Sequence, residues 1–375
     1  MDTRSSVAGA PATGFLSGPM SSLVDLVRVV CAGAVVIQHS AIDGLHSGGV
    51  RIGQLGAHYA VVLFFVVSGL AVATGASRPG TTLRDYALAR VTRIAPVALG
   101  AMALGIAAFL LAGPLVVSEP GRGAELTWQS VVHPLLFLTE SPHGQLPVWN
   151  APWWSLSYEV WYYALFGAAL FLRGTRRVAW LAALGWLAGP QILLLLPVWL
   201  MGAALACDPR WTAVARPAGA VLLLASCALA VLVRAVDIPA LLWLAERSPL
   251  PLVNSQNLVG DMLAGLAAML GLAGLRPFLP LAAPFIQRAA PALSWGAGMT
   301  FTTYLMHRPL ILLARSYGIA APSGFAGMLV ALGGVLAACA LLAELGERRS
   351  PALRRSLGIR LVRRCPASLG EPRPA

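Results

Sequence analysis

Apolar stretches of about 20 residues recur along the whole chain, and short polar segments separate them. A helix must be about this long to cross the hydrocarbon core of a bilayer. The pattern therefore predicts an all-α, polytopic integral membrane protein with about ten transmembrane helices. The predicted spans are 23–42, 57–75, 94–117, 153–172, 178–190, 191–206, 218–234, 255–275, 292–313 and 325–345.

The fifth and sixth spans are short, and Pro190 and Pro197 lie where they divide. A single long or broken helix over this stretch is the alternative, and it would reverse the orientation of everything downstream. All 27 basic residues are arginine, and they concentrate in the loops after even-numbered spans and after the tenth span. Positive residues favour the cytoplasmic side. This bias predicts ten spans in the plasma membrane with both termini in the cytoplasm.

Composition agrees with a surface that faces lipid. Only 11% of the residues are charged, 58% are hydrophobic, and the mean hydropathy is +0.74. A soluble domain averages about 25% charged residues. The net charge of +12 comes mostly from loops and the C-terminal tail, where it favours contact with anionic membrane lipid. A nucleic-acid partner is not expected, because no soluble basic domain is present to bind one.

The ends of the chain are poor in apolar periodicity. We therefore predict a disordered cytoplasmic N-terminus over 1–21, a membrane domain over 22–345 and an Arg-rich cytoplasmic tail over 346–375. The five cysteines are dispersed, without a C-x-x-C pair, so neither a disulfide framework nor a metal site is expected.

The first span contains an arginine and a histidine, Arg28 and His39, in the pattern R-x10-H. Eleven residues advance a helix by about three turns, so both side chains lie on one face roughly 16 Å apart. Ionisable groups inside a membrane are costly and commonly mark a functional site. The alternative is that each side chain extends to the nearer layer of headgroups.

Arg90 and Arg93 lie one turn apart at the start of the third span, in RDYALARVTRIAPVALG. Two guanidinium groups there are suited to bind phosphates by bidentate hydrogen bonds. Ordinary anchoring on the cytoplasmic side is the alternative.

Further candidates lie in the fourth and ninth spans. The fourth opens with WNAPWWSLSYEVWYYALF, which contains Trp154, Ser157 and the intramembrane acid Glu159. The ninth contains TTYLMHRPL, with Tyr304 and His307 within one turn. A buried ion pair for Glu159 and a structural histidine before Pro309 are the alternatives.

In this order, the segments LVDLVRVVCAGAVVIQHS, FFVVSGLAVATG, RDYALARVTRIAPV, WWSLSYEVWYYALF and TTYLMHRPL resemble the membrane acyltransferase-3 family of O-acyltransferases. The resemblance runs from about residue 22 to 345. It implies about ten helices and transfer of an acyl group from cytoplasmic acyl-CoA to a carbohydrate hydroxyl, with acetyl as the default acyl group. No appended extracytoplasmic hydrolase-like domain is expected, so the acceptor is left open among a polysaccharide, a glycolipid and a glycosylated metabolite.

The motif positions of that family fall on His39 and Arg28, on Arg90 and Arg93, and on Glu159. The resemblance thus implies catalytic roles for His39, Arg28 and Glu159, and acyl-CoA binding by Arg90 and Arg93. A neutral imidazole is the best-matched general base near neutral pH, so His39 is the expected base. Arg28 is expected either to stabilise the oxyanion or to line the pantetheine path. The four residues expected to contact the acceptor are Trp154, Ser157, Tyr304 and His307.

Two classes of function other than an enzyme fit the polar residues on one face of the first span. The main alternative is a transporter or permease for an anionic or sugar-like solute. The other is a noncatalytic lipid-binding or scaffold protein. Release of coenzyme A by purified protein in detergent would favour the enzyme, and strict dependence on a sealed vesicle would favour transport.

Overall fold

The computed structural model describes residues 14–16, 18–47, 57–112, 122–247 and 252–357, and these ranges contain α-helices and short 3-10 turns but no strands. The all-α polytopic prediction is therefore confirmed. The described α-helices are α1 Pro19–Ile42, α2 Ala57–Ala76, α3 Leu83–Ala112, α4 Gln129–Leu135, α5 Trp153–Phe171, α6 Gly174–Ala188, α7 Pro190–Cys207, α8 Arg216–Arg247, α9 Leu258–Leu275, α10 Leu279–Ala297, α11 Thr300–Ser316, α12 Gly324–Leu345 and α13 Ser350–Ser356.

Seven of the described segments are long and apolar enough to cross a membrane on their own. Contacts at the helix ends show how three of these helices are oriented. Ser77, after α2, meets Cys207 at the end of α7, whereas His58 at the start of α2 meets Asp261 at the start of α9. α2, α7 and α9 therefore run in the same direction, as the prediction of about ten alternating spans requires. The helices that correspond to the ten predicted spans are α1, α2, α3, α5, α6, α7, α8, α9, α11 and α12.

The fifth and sixth predicted spans form two separate helices. Gly189 lies between α6 and α7 with a φ of 84°, a left-handed conformation that glycine adopts without strain. Pro190 then opens α7 at its first turn, where its missing N–H leaves no helical hydrogen bond unmade. The alternative of one continuous helix is therefore wrong.

The predicted ninth span, 292–313, is wrong at its start. Residues 292–297 end α10, and the crossing helix α11 begins only at Thr300. Arg276, before α10, donates to the carbonyl of Thr212, and Trp295 near its end stacks on Arg348 after α12. Thr212 follows α7 and Arg348 follows α12. These two helices run in the same direction, so α10 begins and ends on one face of the protein. Hydropathy gave no sign of this break, because residues 295–300 stay largely apolar.

The described structure continues past both predicted limits of the membrane domain, residues 22 and 345. α1 begins at Pro19, and Phe15 before it is 1% exposed, so ordered structure starts before residue 22. The rest of the predicted disordered segment, 1–13, lies outside the described residues. At the other end, α13 belongs to the predicted tail and packs against α3.

Close backbone contact joins α2 to α7. A Cβ atom on Gly69 would lie 2.0 Å from the carbonyl oxygen of Trp199, and one on Gly202 would lie 1.8 Å from that of Val66. Small residues allow membrane helices to approach closely, which increases their van der Waals contact. The core beside this contact contains large aromatic side chains, including Trp153 and Tyr158. This packing holds α2 and α5 in place around the candidate site.

Candidate functional site

The helices α1 and α11 run side by side in the same direction and contact each other at three levels, counted from their N-terminal to their C-terminal ends. At the lowest level, Arg28 donates from Nη2 to Thr300 Oγ1 at 2.9 Å. One level higher, His39 Nδ1 lies 2.8 Å from His307 Nε2. The structure therefore brings together two predicted site residues that lie 268 positions apart.

The hydrogen bonds of the two imidazoles determine their tautomers. His307 Nδ1 lies 2.9 Å from the carbonyl oxygen of Thr303, which can only accept. In the neutral pair, His307 therefore has its proton on Nδ1 and accepts at Nε2. His39 must then donate from Nδ1, so its lone pair is on Nε2. The arrangement orients His39 to accept a proton at that atom.

At the highest level, Arg308 and Asp43 form a buried ion pair. Arg308 Nε lies 3.2 Å from Asp43 Oδ2, and Nη2 lies 3.3 Å from Oδ1. Their side chains are 5% and 1% exposed. Asp43 is not among the residues predicted from the sequence. It lies four residues after His39, at the C-cap of α1, and that helical spacing was the available signal.

A cavity of about 320 Å³, the arginine cavity, lies between the N-terminal half of α1 and its neighbours. It is lined by the predicted residues Arg28, Arg90, Arg93 and Glu159, and by Asp25, Ser68, Tyr163 and Arg354. Among its described lining residues, four arginines face two carboxylates. Because its cationic side chains outnumber its acids, the cavity is suited to an anionic ligand.

Glu159 lies in the arginine cavity, hydrogen-bonded to Ser68 and Tyr163. Glu159 and His39 line different cavities. The arginine cavity reaches Tyr304 on α11, which lies less than one turn from His307.

A second cavity of about 380 Å³, the histidine cavity, lies beyond it. Its lining includes His39, Trp154, Tyr304 and Arg308, together with Gln38, His58, Arg122 and Asn254. Within the described ranges, no group of three histidine, cysteine or acidic side chains is placed to hold a metal ion.

Both arginines of the histidine cavity, and His58, contact a carboxylate. Arg122 lies 3.2 Å from Glu140, and His58 lies 2.6 Å from Asp261. Arg308 is paired with Asp43, as described above. The histidine cavity is therefore close to balanced in charge, unlike the arginine cavity.

Tyr304 and Val61 line both cavities, so the two spaces meet at these side chains. Ser155 Oγ donates to Tyr304 Oη at 2.7 Å and holds the ring at this junction. A ligand that fills the arginine cavity can thus reach toward His39 between Tyr304 and Val61.

Two predicted acceptor contacts do not line either cavity. Ser157 is fully buried and accepts a hydrogen bond from Thr139 at 2.8 Å. His307 is also fully buried, and it touches the site through His39. Of the four residues, Trp154 and Tyr304 face the histidine cavity.

Comparison with known proteins gives one match. No curated protein and no solved structure matches the chain significantly. The acyltransferase-3 family model, described as an acyltransferase domain, matches residues 22–344. This range is nearly the whole described membrane domain and contains both predicted histidines of the site. The chain therefore belongs to the membrane acyltransferase-3 family and is a membrane-bound acyltransferase.

Proposed function

We propose that the protein transfers an acyl group from acyl-CoA, held in the arginine cavity, to a hydroxyl of a carbohydrate-containing acceptor in the histidine cavity. The observation that carries this proposal is the hydrogen-bonded pair of His39, which lines the histidine cavity, and His307, which lies next to Tyr304 at the junction of the two cavities. Acetyl is the proposed acyl group, by the resemblance to the family alone.

The charge of the arginine cavity supports an acyl-CoA donor. Coenzyme A carries several phosphate charges at one end and a thin, uncharged pantetheine arm at the other. Arg90 and Arg93 are suited to bind the phosphates, because charge-assisted hydrogen bonds are about twice as strong as neutral ones. The arm would extend past Arg28 toward Tyr304 and bring the thioester close to His39.

The distribution of arginines supports a cytoplasmic donor. The arginine cavity lies toward the N-terminal end of α1, and on that same face Arg78 lies in the loop after α2 and Arg176 in the first turn of α6. By the positive-inside rule this face is cytoplasmic, which also places both termini in the cytoplasm. The histidine cavity then opens toward the outer side of the plasma membrane.

The chemical step needs one base and one acid. His39 Nε2 removes the proton of the acceptor hydroxyl as its oxygen attacks the thioester carbonyl. The carbon–sulfur bond then breaks, and the resulting imidazolium returns the proton to the leaving thiolate of coenzyme A. Such a general base contributes typically 10²–10⁴-fold to the rate, or roughly 3–5 kcal/mol. These proton transfers need no metal ion.

The histidine cavity supports a neutral sugar as the acceptor. Arg122 and Arg308, and also His58, each contact a carboxylate, so the cavity offers no excess positive charge to an anionic group. Gln38 Oε1 is buried there without a hydrogen-bond partner among the described residues. That oxygen can accept from a sugar hydroxyl, and Trp154 provides an apolar surface for a sugar ring.

The test is release of coenzyme A by the purified protein in neutral detergent. Acetyl-CoA is the donor, and a panel of neutral and acidic methyl glycosides supplies the acceptors. We expect acceptor-dependent release with neutral glycosides, and a loss of about 10²–10⁴-fold in His39→Ala. His143→Ala is the matched control, because His143 is exposed and lies outside the histidine cavity. Turnover in His39→Ala close to that of the unmodified protein would refute the mechanism.

A further inference from the structure

The short helix α13 lies beyond residue 344, where the family match ends, yet it packs on the helix that contains Arg90 and Arg93. Ser350 Oγ donates to the carbonyl oxygen of Thr92 at 2.8 Å. Arg354 Nε donates to Thr92 Oγ1 at 3.0 Å. Two contacts to one residue of α3 therefore hold α13 against the arginine cavity.

Arg354 lines that cavity together with Arg90 and Arg93. Its contact to Thr92 uses Nε, so the two terminal nitrogens of the guanidinium point away from this anchor and are available to a ligand. Arg354 is half-buried, which places it near the opening of the cavity rather than at its base.

The positively charged guanidinium groups of Arg90, Arg93 and Arg354 share one cavity and repel one another. The neighbouring carboxylate of Glu347 offsets only part of this repulsion. Glu347 lies 4.0 Å from Arg93, and its other carboxylate oxygen accepts from Thr302. Arg90 Nε is buried without a hydrogen-bond partner among the described residues. A phosphate group provides the negative charge and the acceptor oxygens that three converging guanidiniums need.

We propose that Arg354 is a donor-binding residue that, with Arg90 and Arg93, holds a phosphate of acyl-CoA at the opening of the arginine cavity. This inference rests on the proposed function. It extends the donor site beyond the matched family domain, into the segment predicted to be an Arg-rich cytoplasmic tail. Arg354 acts on donor affinity and not on the chemical step, which takes place near His39.

The experiment measures binding of acetyl-CoA to the purified full-length protein in a neutral detergent without anionic lipid. Losing one charge-assisted contact should raise the dissociation constant in Arg354→Ala roughly 10- to 100-fold. Arg354→Gln keeps an amide donor for Thr92 but lacks the charge, and it should lose as much. Arg355→Ala is the matched control, since Arg355 is exposed on the same helix, and it should bind as the unmodified protein does.

Kinetics separate binding from structural damage. In both Arg354 variants, KM for acetyl-CoA should rise with the dissociation constant, while kcat at saturating donor stays within about twofold. Unchanged acetyl-CoA affinity in both variants would overturn the inference and leave the proposed function intact, and it would assign Arg354 to lipid headgroups. If the unmodified protein itself does not bind acetyl-CoA, the proposed function and the inference both fail.

Discussion

The buried ion pair between Asp43 and Arg308 gives the sharpest quantitative prediction. Asp43→Asn removes the negative charge but keeps the size of the side chain. Arg308 would then be a buried cation, 5% exposed, without its carboxylate. Breaking such a pair by removing one partner costs about 3–5 kcal/mol. We therefore expect Asp43→Asn to lower the free energy of unfolding by that amount.

The activity should fall with it, because the pair lies beside the two imidazoles. Asp43 follows α1, which contains His39, and Arg308 is the neighbour of His307 on α11. A shift between the two helices lengthens the 2.8 Å contact between the imidazoles and removes the orientation of His39.

The assay is reversible unfolding in mixed micelles, combined with a double-mutant cycle. Replacing both members of a buried pair by apolar residues is often neutral or stabilising, so Asp43→Leu with Arg308→Met should be more stable than Asp43→Asn. Asp25→Asn is the matched control, because the pair of Asp25 with Arg28 is 3.7 Å apart and both side chains are at least 20% exposed. It should cost about 1 kcal/mol or less. A loss below about 1 kcal/mol in Asp43→Asn would refute the reasoning.

Three further predictions follow from the geometry. His307→Phe removes the acceptor of the His39 Nδ1 proton, so kcat should fall roughly 10²-fold while acetyl-CoA affinity stays unchanged; an unchanged kcat would contradict the tautomer argument. Gly202→Ala places a Cβ 1.8 Å from a carbonyl oxygen of α2 and should lower the melting temperature by several degrees. Gly333→Ala is the control, because a Cβ at that position meets open space. In a cysteine-free background, an impermeant thiol reagent added to intact cells should label Ser141→Cys but not Ser77→Cys or Thr175→Cys. Labelling at position 77 would place the arginine cavity outside the cell.

Much of the fold could be predicted because a membrane imposes a local requirement. Every crossing helix must be long and apolar, so hydropathy predicts the all-α polytopic fold, and Pro190 indicates the break between the fifth and sixth spans. The ninth span shows the limit of this argument. The end of α10 and the start of α11 are both apolar, and hydropathy does not distinguish a helix along one face from a helix that crosses.

The candidate site was predicted in its parts but not in its pairings. Arg90 and Arg93 are predicted as a pair of arginines at the start of the third span and Glu159 as an intramembrane acid, and the structure brings all three to one cavity. Ser157 is predicted from its place in the segment WWSLSYEVWYYALF, and the structure buries it against Thr139. A motif reports which residues recur together, whereas burial depends on which face of the helix meets its neighbours.

The sequence by itself determined that the chain crosses a membrane about ten times and that Arg28 and His39 share one face of a helix. Both follow from local chemistry: apolar length and the period of 3.6 residues. Only the tertiary structure decided that His39 meets His307 and that Arg354 joins the arginine cavity. Such contacts depend on how each helix is rotated and shifted against its neighbours. That choice is made by side-chain packing across the whole bundle, between residues hundreds of positions apart, and no local period encodes it.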